Sequence, residues 1–399
     1  MLYAVAGALI LHGSCIEPPE KEESYVVVLS VDGFRHDYPE LYNTPNLDRM
    51  AEEGTKAEAL IPAFPSFTFP NHYSMATGLY PDNHGIVMNN FYCGQLDATY
   101  RIGDPEATGN ADFYGGEPIW VTAENQGVKT ATYFWVGADA PISGVRPSRW
   151  KSYDSSVSFE SRIDSVVSWL SLPRGERPGL VMFYFDEPDS QGHSTGPVSD
   201  KTGKMVEYID SLTGVLIEEL GELPHSDNID LIVTSDHGMG EVSHNRYIDL
   251  LEYTGWHWAE KRHGSNPVYI IRPREKYSDT LYTALSNVDN LQIIKNEELP
   301  CRLNFGSHPR ALDMTVMADS GWSIGFGDPT SYHSGGAHGY DPSNRDMHTI
   351  FYATGPSFRK GHTHQPFEIV DIYYLLCSIL ELEPASCDGD PQRVKGMLK

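Results

Sequence analysis

Three acidic positions follow apolar runs at well-separated points of the chain: Asp32 after YVVVLSV, Asp189 after LVMFYFDEP, and Asp236, with His237, after IDLIVTS. Asp189 lies four residues before His193, so one helical turn would put both side chains on one face. His338 stands in the glycine-rich stretch SGGAHGYD. Carboxylate plus imidazole suits Zn²⁺. Two such sets suggest a two-metal centre, with ions roughly 4 Å apart holding the oxygens of a displacement. PSFTFPNHY offers two hydroxyl nucleophiles, Ser66 and Thr68, whose pKa a bound metal would lower. Each feature also has an ordinary reading. A single Asp after a strand usually caps a helix, and either hydroxyl could cap a helix beginning after Pro70. The chain has 16 His, enough for chance pairs, so the weight rests on acid recurring at three strand ends.

Such residues converge only if the strands are parallel and adjacent, because ligands of open parallel sheets bind beyond the carboxyl ends of the strands. The pattern supports this. Continuous β-branched and aromatic runs predict buried strands over residues 25–31, 130–135, 180–185 and 229–234. Helices are expected over 44–54, 118–126, 159–172 and 204–220. The alternation gives an α/β fold: a mostly parallel central sheet with helices on both faces. From 249 to 324 short candidate strands (268–271, 314–318) sit among Pro, Gly and Asn, which reads as a small inserted mixed lobe of antiparallel character. The core pattern returns at 347–353 and in a helix over 369–382. The expected organisation is a signal peptide or tether over 1–24, a catalytic core over 25–248 and 325–399, and the lobe between.

With 40% apolar and 21% charged residues the chain can bury a large core, which excludes disorder. A net charge of −26 argues against a stable nucleic-acid complex. It leaves room for a phosphorylated small substrate, because a bound metal overrides the local field. Residues 2–11 are too short an apolar run to span a bilayer but match a signal-peptide core, although no Lys or Arg precedes Lys21. HGSC before an acidic stretch resembles a bacterial lipoprotein cleavage site, with His12 where Leu is usual. The expectation is an exported protein, periplasmic or at the cell surface, with Cys15 a point of lipid anchorage. Cys93, Cys301, Cys377 and Cys387 allow two disulfides in three connectivities, with Cys377 and Cys387 closest in sequence.

The motifs VDGFR (31–35), FPSFTFPNHY (64–73), GLYPDNHGI (78–86), EPDSQGH (187–193), TSDHGM (234–239) and HGYD (338–341) together resemble the nucleotide pyrophosphatase/phosphodiesterase family of the alkaline phosphatase superfamily, over about residues 28–380. The resemblance implies an alkaline phosphatase-like fold and hydrolysis of nucleotide phosphodiester and pyrophosphate bonds through a nucleotidyl-threonine. Matched motif by motif, it prefers Thr68 to Ser66 as nucleophile. It assigns Asp32, Thr68, Asp236 and His237 to one zinc, and Asp189, His193 and His338 to the other. Asn89 would hold a phosphoryl oxygen beside the backbone N–H of Phe69, while Phe69, Tyr153 and Tyr184 would line the nucleoside pocket. Two departures, Ala337 for a common Asn and Trp135-Val136-Gly137 for Trp-Pro-Gly, touch loop shape and not ligands. Choline-phosphodiester lipids are the alternative substrate class within the family. The chain looks like a minimal, bacterial-type catalytic unit and is expected to be a monomer.

Overall fold

All seven residues of the strand Tyr25–Val31 are buried, and this strand is the axis of the molecule. It pairs in parallel with Leu180–Phe185 on one side and Ile229–Thr234 on the other. A continuous apolar run is what a strand covered on both faces requires. Val26 and Val28 enter one hydrophobic core, and Tyr25, Val27, Leu29 and Val31 enter a second. The computed structural model describes residues 23–327 and 334–399. The apolar segment read as a signal-peptide core and Cys15 lie outside these described residues.

The sheet has eight strands in the order His362–His364, Thr55–Ala57, Phe351–Thr354, Ile229–Thr234, Tyr25–Val31, Leu180–Phe185, Thr130–Tyr133 and Arg149–Lys151. The last five run parallel, and Phe351–Thr354 joins antiparallel to Ile229–Thr234. Helices Thr68–Thr77, Ile119–Asn125 and Ile372–Leu380 pack on the first core. Helices Pro45–Glu53, Phe159–Leu170 and Asp200–Gly221 pack on the second. This is the expected α/β architecture with helices on both faces.

Element ends differ from the sequence reading for local reasons. The helix expected from 204 begins at Asp200, where Ser199 Oγ accepts the Thr202 N–H at 3.2 Å. The helix expected after Pro70 begins at Thr68, with Pro70 inside its first turn, where a missing N–H costs nothing. The strand expected to reach residue 135 stops at Tyr133, because Phe134 turns into the left-handed region at φ +65°. At the C-terminus a 3₁₀ turn, Ile369–Asp371, precedes the α-helix, which ends at Glu381 with φ 53°.

The stretch after residue 249 carries a separate sheet in the order Ala259–Ser265, Val268–Pro273, Met314–Ala318, Leu291–Lys295, antiparallel at every pairing. With the helix Ser278–Leu285 it closes over a third core. The four described cysteines are all free thiols, which corrects the disulfide expectation. Cys377 is buried on the core face of its helix, while Cys387 is only half-buried against it. Among the described residues no helix is long and apolar enough to cross a membrane.

Candidate active site

The three acidic strand ends meet. Asp32 leaves the central strand, Asp236 and His237 follow the neighbouring strand, and Asp189 opens the helix Asp189–Thr195 that puts His193 one turn on. Gly33, at φ +68°, allows the Asp32 and Asp189 segments to close on each other, since a Cβ there would sit 2.9 Å from Asp189 Cα. His338 is brought in by the Gly335–Ala337 strand, and its ring stacks on His237 with centroids 3.6 Å apart.

The polarity of this cluster is one-sided. His237, His193 and His338 each turn Nδ1 to a backbone carbonyl: Gly238 at 2.8 Å, Gly336 at 2.8 Å and Ser66 at 2.9 Å. Nδ1 must then carry the proton, so each neutral ring presents a lone pair at Nε2. Those lone pairs face carboxylate oxygens. His237 Nε2 lies 3.3 Å from Asp32 Oδ1 and 3.2 Å from Asp236 Oδ2. Asp189 Oδ1 lies 3.4 Å from His193 Nε2 and 3.7 Å from His338 Nε2. The oxygens Asp32 Oδ1, Asp189 Oδ1 and Asp236 Oδ2 are buried without a hydrogen-bond partner. Acceptors facing acceptors out of water need a cation or a shared proton between them. Ligand atoms of Asp189, His193 and His338, and of Asp32, Asp189 and His237, lie within 4.8 Å of one another in each group. The donor set therefore fits divalent metal.

Protonation follows the same geometry. Burial, then the carboxylates of Asp236 and Asp189, raise Asp32 well above the ordinary carboxylate range. Burial also pushes Asp236 up, but His237 and His72 outweigh it and hold its carboxyl below that range. Burial depresses His237 and, with His237 beside it, lowers His338 to about 3, so both rings are neutral.

Thr68 stands at the first position of its helix, its Oγ1 3.2 Å from His237 Nε2. The positive end of that helix faces the cluster. Ser66 is set apart. It is fully buried, donates to the Tyr340 carbonyl at 2.8 Å and accepts the Gly339 N–H at 3.1 Å, which ties the His338 loop down. Asn89 Oδ1 accepts the Phe69 N–H at 3.0 Å. The helix N–H aims Asn89, and its amide nitrogen is the donor left over.

A cavity of about 480 Å³ opens from the cluster, the size of a small-molecule site. Phe69, Tyr153 and Tyr184 line it beside Thr68 and Asn89. The Tyr184 hydroxyl donates to Asp32 Oδ2, so this ring is both wall and support for a ligand. Tyr153 is exposed at the mouth. The sequence reading missed His72, whose Nδ1 lies 2.9 Å from the Thr68 carbonyl and 3.4 Å from Asp236 Oδ2, and whose Nε2 meets Ser30 Oγ at 2.9 Å. Its signals were the four-residue spacing from Thr68 and the serine within the apolar run YVVVLSV.

Comparison with known proteins agrees with this geometry. The model of a family described as type I phosphodiesterase / nucleotide pyrophosphatase matches residues 26–341. The chain belongs to that family. It is 35% identical over 404 residues to bovine ectonucleotide pyrophosphatase/phosphodiesterase family member 3, covering 97% of this chain and 46% of that protein. It is also 35% identical over 396 residues to a venom phosphodiesterase of Crotalus durissus collilineatus, covering 96% and 47%. The chain thus spans about half the length of the curated relatives it matches. Murine ectonucleotide pyrophosphatase/phosphodiesterase 5 superposes with a TM-score of 0.90 at 34% identity, over 94% of this chain and 100% of that one. An inactive threonine-to-alanine form of the murine protein, solved in complex with AMP, matches with a TM-score of 0.90 at 33% identity, over 95% and 100%.

Proposed function

We propose that the chain hydrolyses nucleotide phosphodiester and pyrophosphate bonds and releases nucleoside 5′-monophosphates. The observation that carries this is the Thr68 hydroxyl, 3.2 Å from His237 Nε2, at a helix N-terminus beside buried, unpartnered carboxylate oxygens and on the floor of a nucleotide-sized cavity. The murine relative supports it, being inactive as a threonine-to-alanine form that binds AMP.

Two zinc ions would be held by Asp32, Thr68, Asp236 and His237, and by Asp189, His193 and His338. Bound there, they supply Lewis acidity and neutralise charge on the phosphoryl oxygens. Thr68 Oγ1 passes its proton to water in the cavity and forms a bond to phosphorus while the bond from phosphorus to the leaving oxygen breaks. The leaving group departs with that electron pair and takes up a proton from water. A water molecule then attacks the nucleotidyl-Thr68, releasing the 5′-monophosphate and restoring the hydroxyl. Asn89 Nδ2 donates to a phosphoryl oxygen, a contact of the kind worth about 3–4 kcal/mol in the transition state. The nucleoside lies against Phe69, Tyr153 and Tyr184. The ecto- and venom-enzyme names of the relatives support placing the chain outside the cytoplasm.

The test is parallel hydrolysis of p-nitrophenyl thymidine 5′-monophosphate, ATP, p-nitrophenyl phosphate and p-nitrophenyl phosphorylcholine by zinc-loaded protein, with and without chelator. Chelator-sensitive cleavage of the nucleotide diester, with AMP from ATP, is expected. Preference for the choline ester would move the substrate to lipids on the same site.

A further inference from the structure

Arg162 belongs to no part of the reaction above, yet it is among the most constrained side chains of the chain. It stands on the Phe159–Leu170 helix and is 1% exposed. Its guanidinium lies 4.8 Å from the ring centroids of both Phe134 and Phe159. Nε and Nη2 donate to the Val157 carbonyl at 3.2 and 3.1 Å. Nη1 donates to the Tyr184 carbonyl at 2.9 Å and to Asp186 Oδ1 at 2.8 Å. A buried cation with every nitrogen used in a planar fork is a fixed point, a role Lys could not fill.

The other oxygen of that carboxylate reaches outward. Asp186 Oδ2 accepts the Tyr153 hydroxyl at 3.2 Å. Tyr153 is 55% exposed, and its ring meets Phe134 edge-on at 5.2 Å and stands 6.5 Å from Tyr184 across the cavity mouth. Phe134, between Arg162 and Tyr153, has φ +65°, a backbone state that a bulky residue keeps only when its surroundings enforce it. Such states gather at binding sites. An exposed tyrosine on a loop would otherwise sample several rotamers and lose that freedom when a base stacks on it.

We propose that Arg162 and Asp186 are positioning residues that fix the Tyr153 ring in advance as one wall of the nucleoside site, so that the chain of contacts Arg162–Asp186–Tyr153 sets affinity for the nucleoside half of the substrate. This rests on the nucleotide reading given above. It assigns no chemistry to either residue. Their effect passes through the orientation of one ring.

The test compares the zinc-loaded full chain with Asp186→Ala, Tyr153→Phe and Arg162→Met on two substrates. One is p-nitrophenyl thymidine 5′-monophosphate, and the other is methyl p-nitrophenyl phosphate, which has no nucleoside and no second ring to stack in its place. Each substitution is expected to raise KM for the nucleotide ester about 3–10-fold, the ordering cost of one side chain, with kcat retained. Kinetics on the nucleoside-free ester should not follow. The Asp186→Ala/Tyr153→Phe pair should be no worse than either alone, because both cut the same link. Tyr153→Phe removes only an exposed hydroxyl, so it carries the test if Arg162→Met does not fold. Equal losses on both substrates would reduce the network to support of the fold, and an unchanged KM for the nucleotide ester would remove the role altogether. Wild-type protein with equal kcat/KM on both esters would overturn the nucleotide reading itself, before any variant is compared.

Discussion

At the floor of the cavity the polar groups sit at the ends of regular elements: Asp32, Asp236 and His237 after strands and shut away from water, Thr68 and Asp189 half-buried at the first turns of helices. At the mouth the most exposed wall, Tyr153, rides on a loop and its placement depends on Asp186 from another element, while Phe69 and Tyr184 stand on a helix and a strand. The difference follows from what each end must do. The floor holds charge, so rigidity and burial make its carboxylates and imidazoles strong ligands and leave their oxygens without partners until a cation arrives. The mouth holds a flat, weakly polar group, for which a pre-set ring is enough.

Substitutions at the floor should therefore be drastic and those at the mouth graded. The largest effect belongs to Thr68→Ala, where turnover of the nucleotide ester should fall by about 10⁴-fold or more with metal content unchanged. Substantial residual activity would take the nucleophile away from Thr68. Asp189→Ala or His338→Ala should empty one of the two metal positions, read as the zinc-to-protein ratio by elemental analysis. A full complement of two would refute the ligand assignment.

Next comes pH. In the metal-free chain Asp32 is raised well above the ordinary carboxylate range, by burial and then by Asp236 and Asp189, so it keeps a proton at a pH where the unfolded chain has lost its own. Metal must displace that proton. Zinc affinity should thus climb about tenfold per pH unit for each proton released, and the gain in Tm on adding zinc should shrink as pH falls from the neutral range toward 5. His338, held at about 3, stays neutral throughout and adds nothing to this slope. A zinc-dependent Tm gain that does not change with pH would contradict the raised Asp32.

Tyr153→Ala should be milder, raising KM for the nucleotide ester by roughly tenfold, in line with one stacked base at about 1–3 kcal/mol. An effect on kcat as large as that of Thr68→Ala would erase the distinction between floor and mouth. The smallest is Ser66→Ala. It removes hydrogen bonds to Tyr340 and Gly339 worth about 1–3 kcal/mol where a buried group is left unpaired. Calorimetry should show a lower Tm with zinc content preserved, which sets this hydroxyl apart from Thr68.

Much of the floor was legible because its residues obey local rules. Strands Tyr25–Val31, Leu180–Phe185 and Ile229–Thr234 read directly as runs without alternation, and the acids mark their ends. The spacing of Asp189 and His193 announced their shared helical face. His72 escaped because a buried histidine that hydrogen-bonds Ser30 looks, in sequence, like any core residue. Arg162 escaped for a related reason: an arginine on an amphipathic helix is normally solvated, and only tertiary packing shows it shut among Phe134, Phe159 and Asp186. The free thiols Cys377 and Cys387 show the limit in the other direction, since nearness along the chain says nothing of where each sulfur points.

By itself the sequence determined the α/β class, the order of the central strands' chemistry and the identity of the groups able to bind metal, because hydrophobic period and residue type act locally. The motifs already preferred Thr68 to Ser66; only the tertiary structure decided how three Nδ1 protons are taken by carbonyls so that three Nε2 lone pairs converge, and which buried cation steadies an exposed ring. Those outcomes depend on distances between segments far apart in the chain. Such distances exist only after the sheet has brought the ends of its strands together.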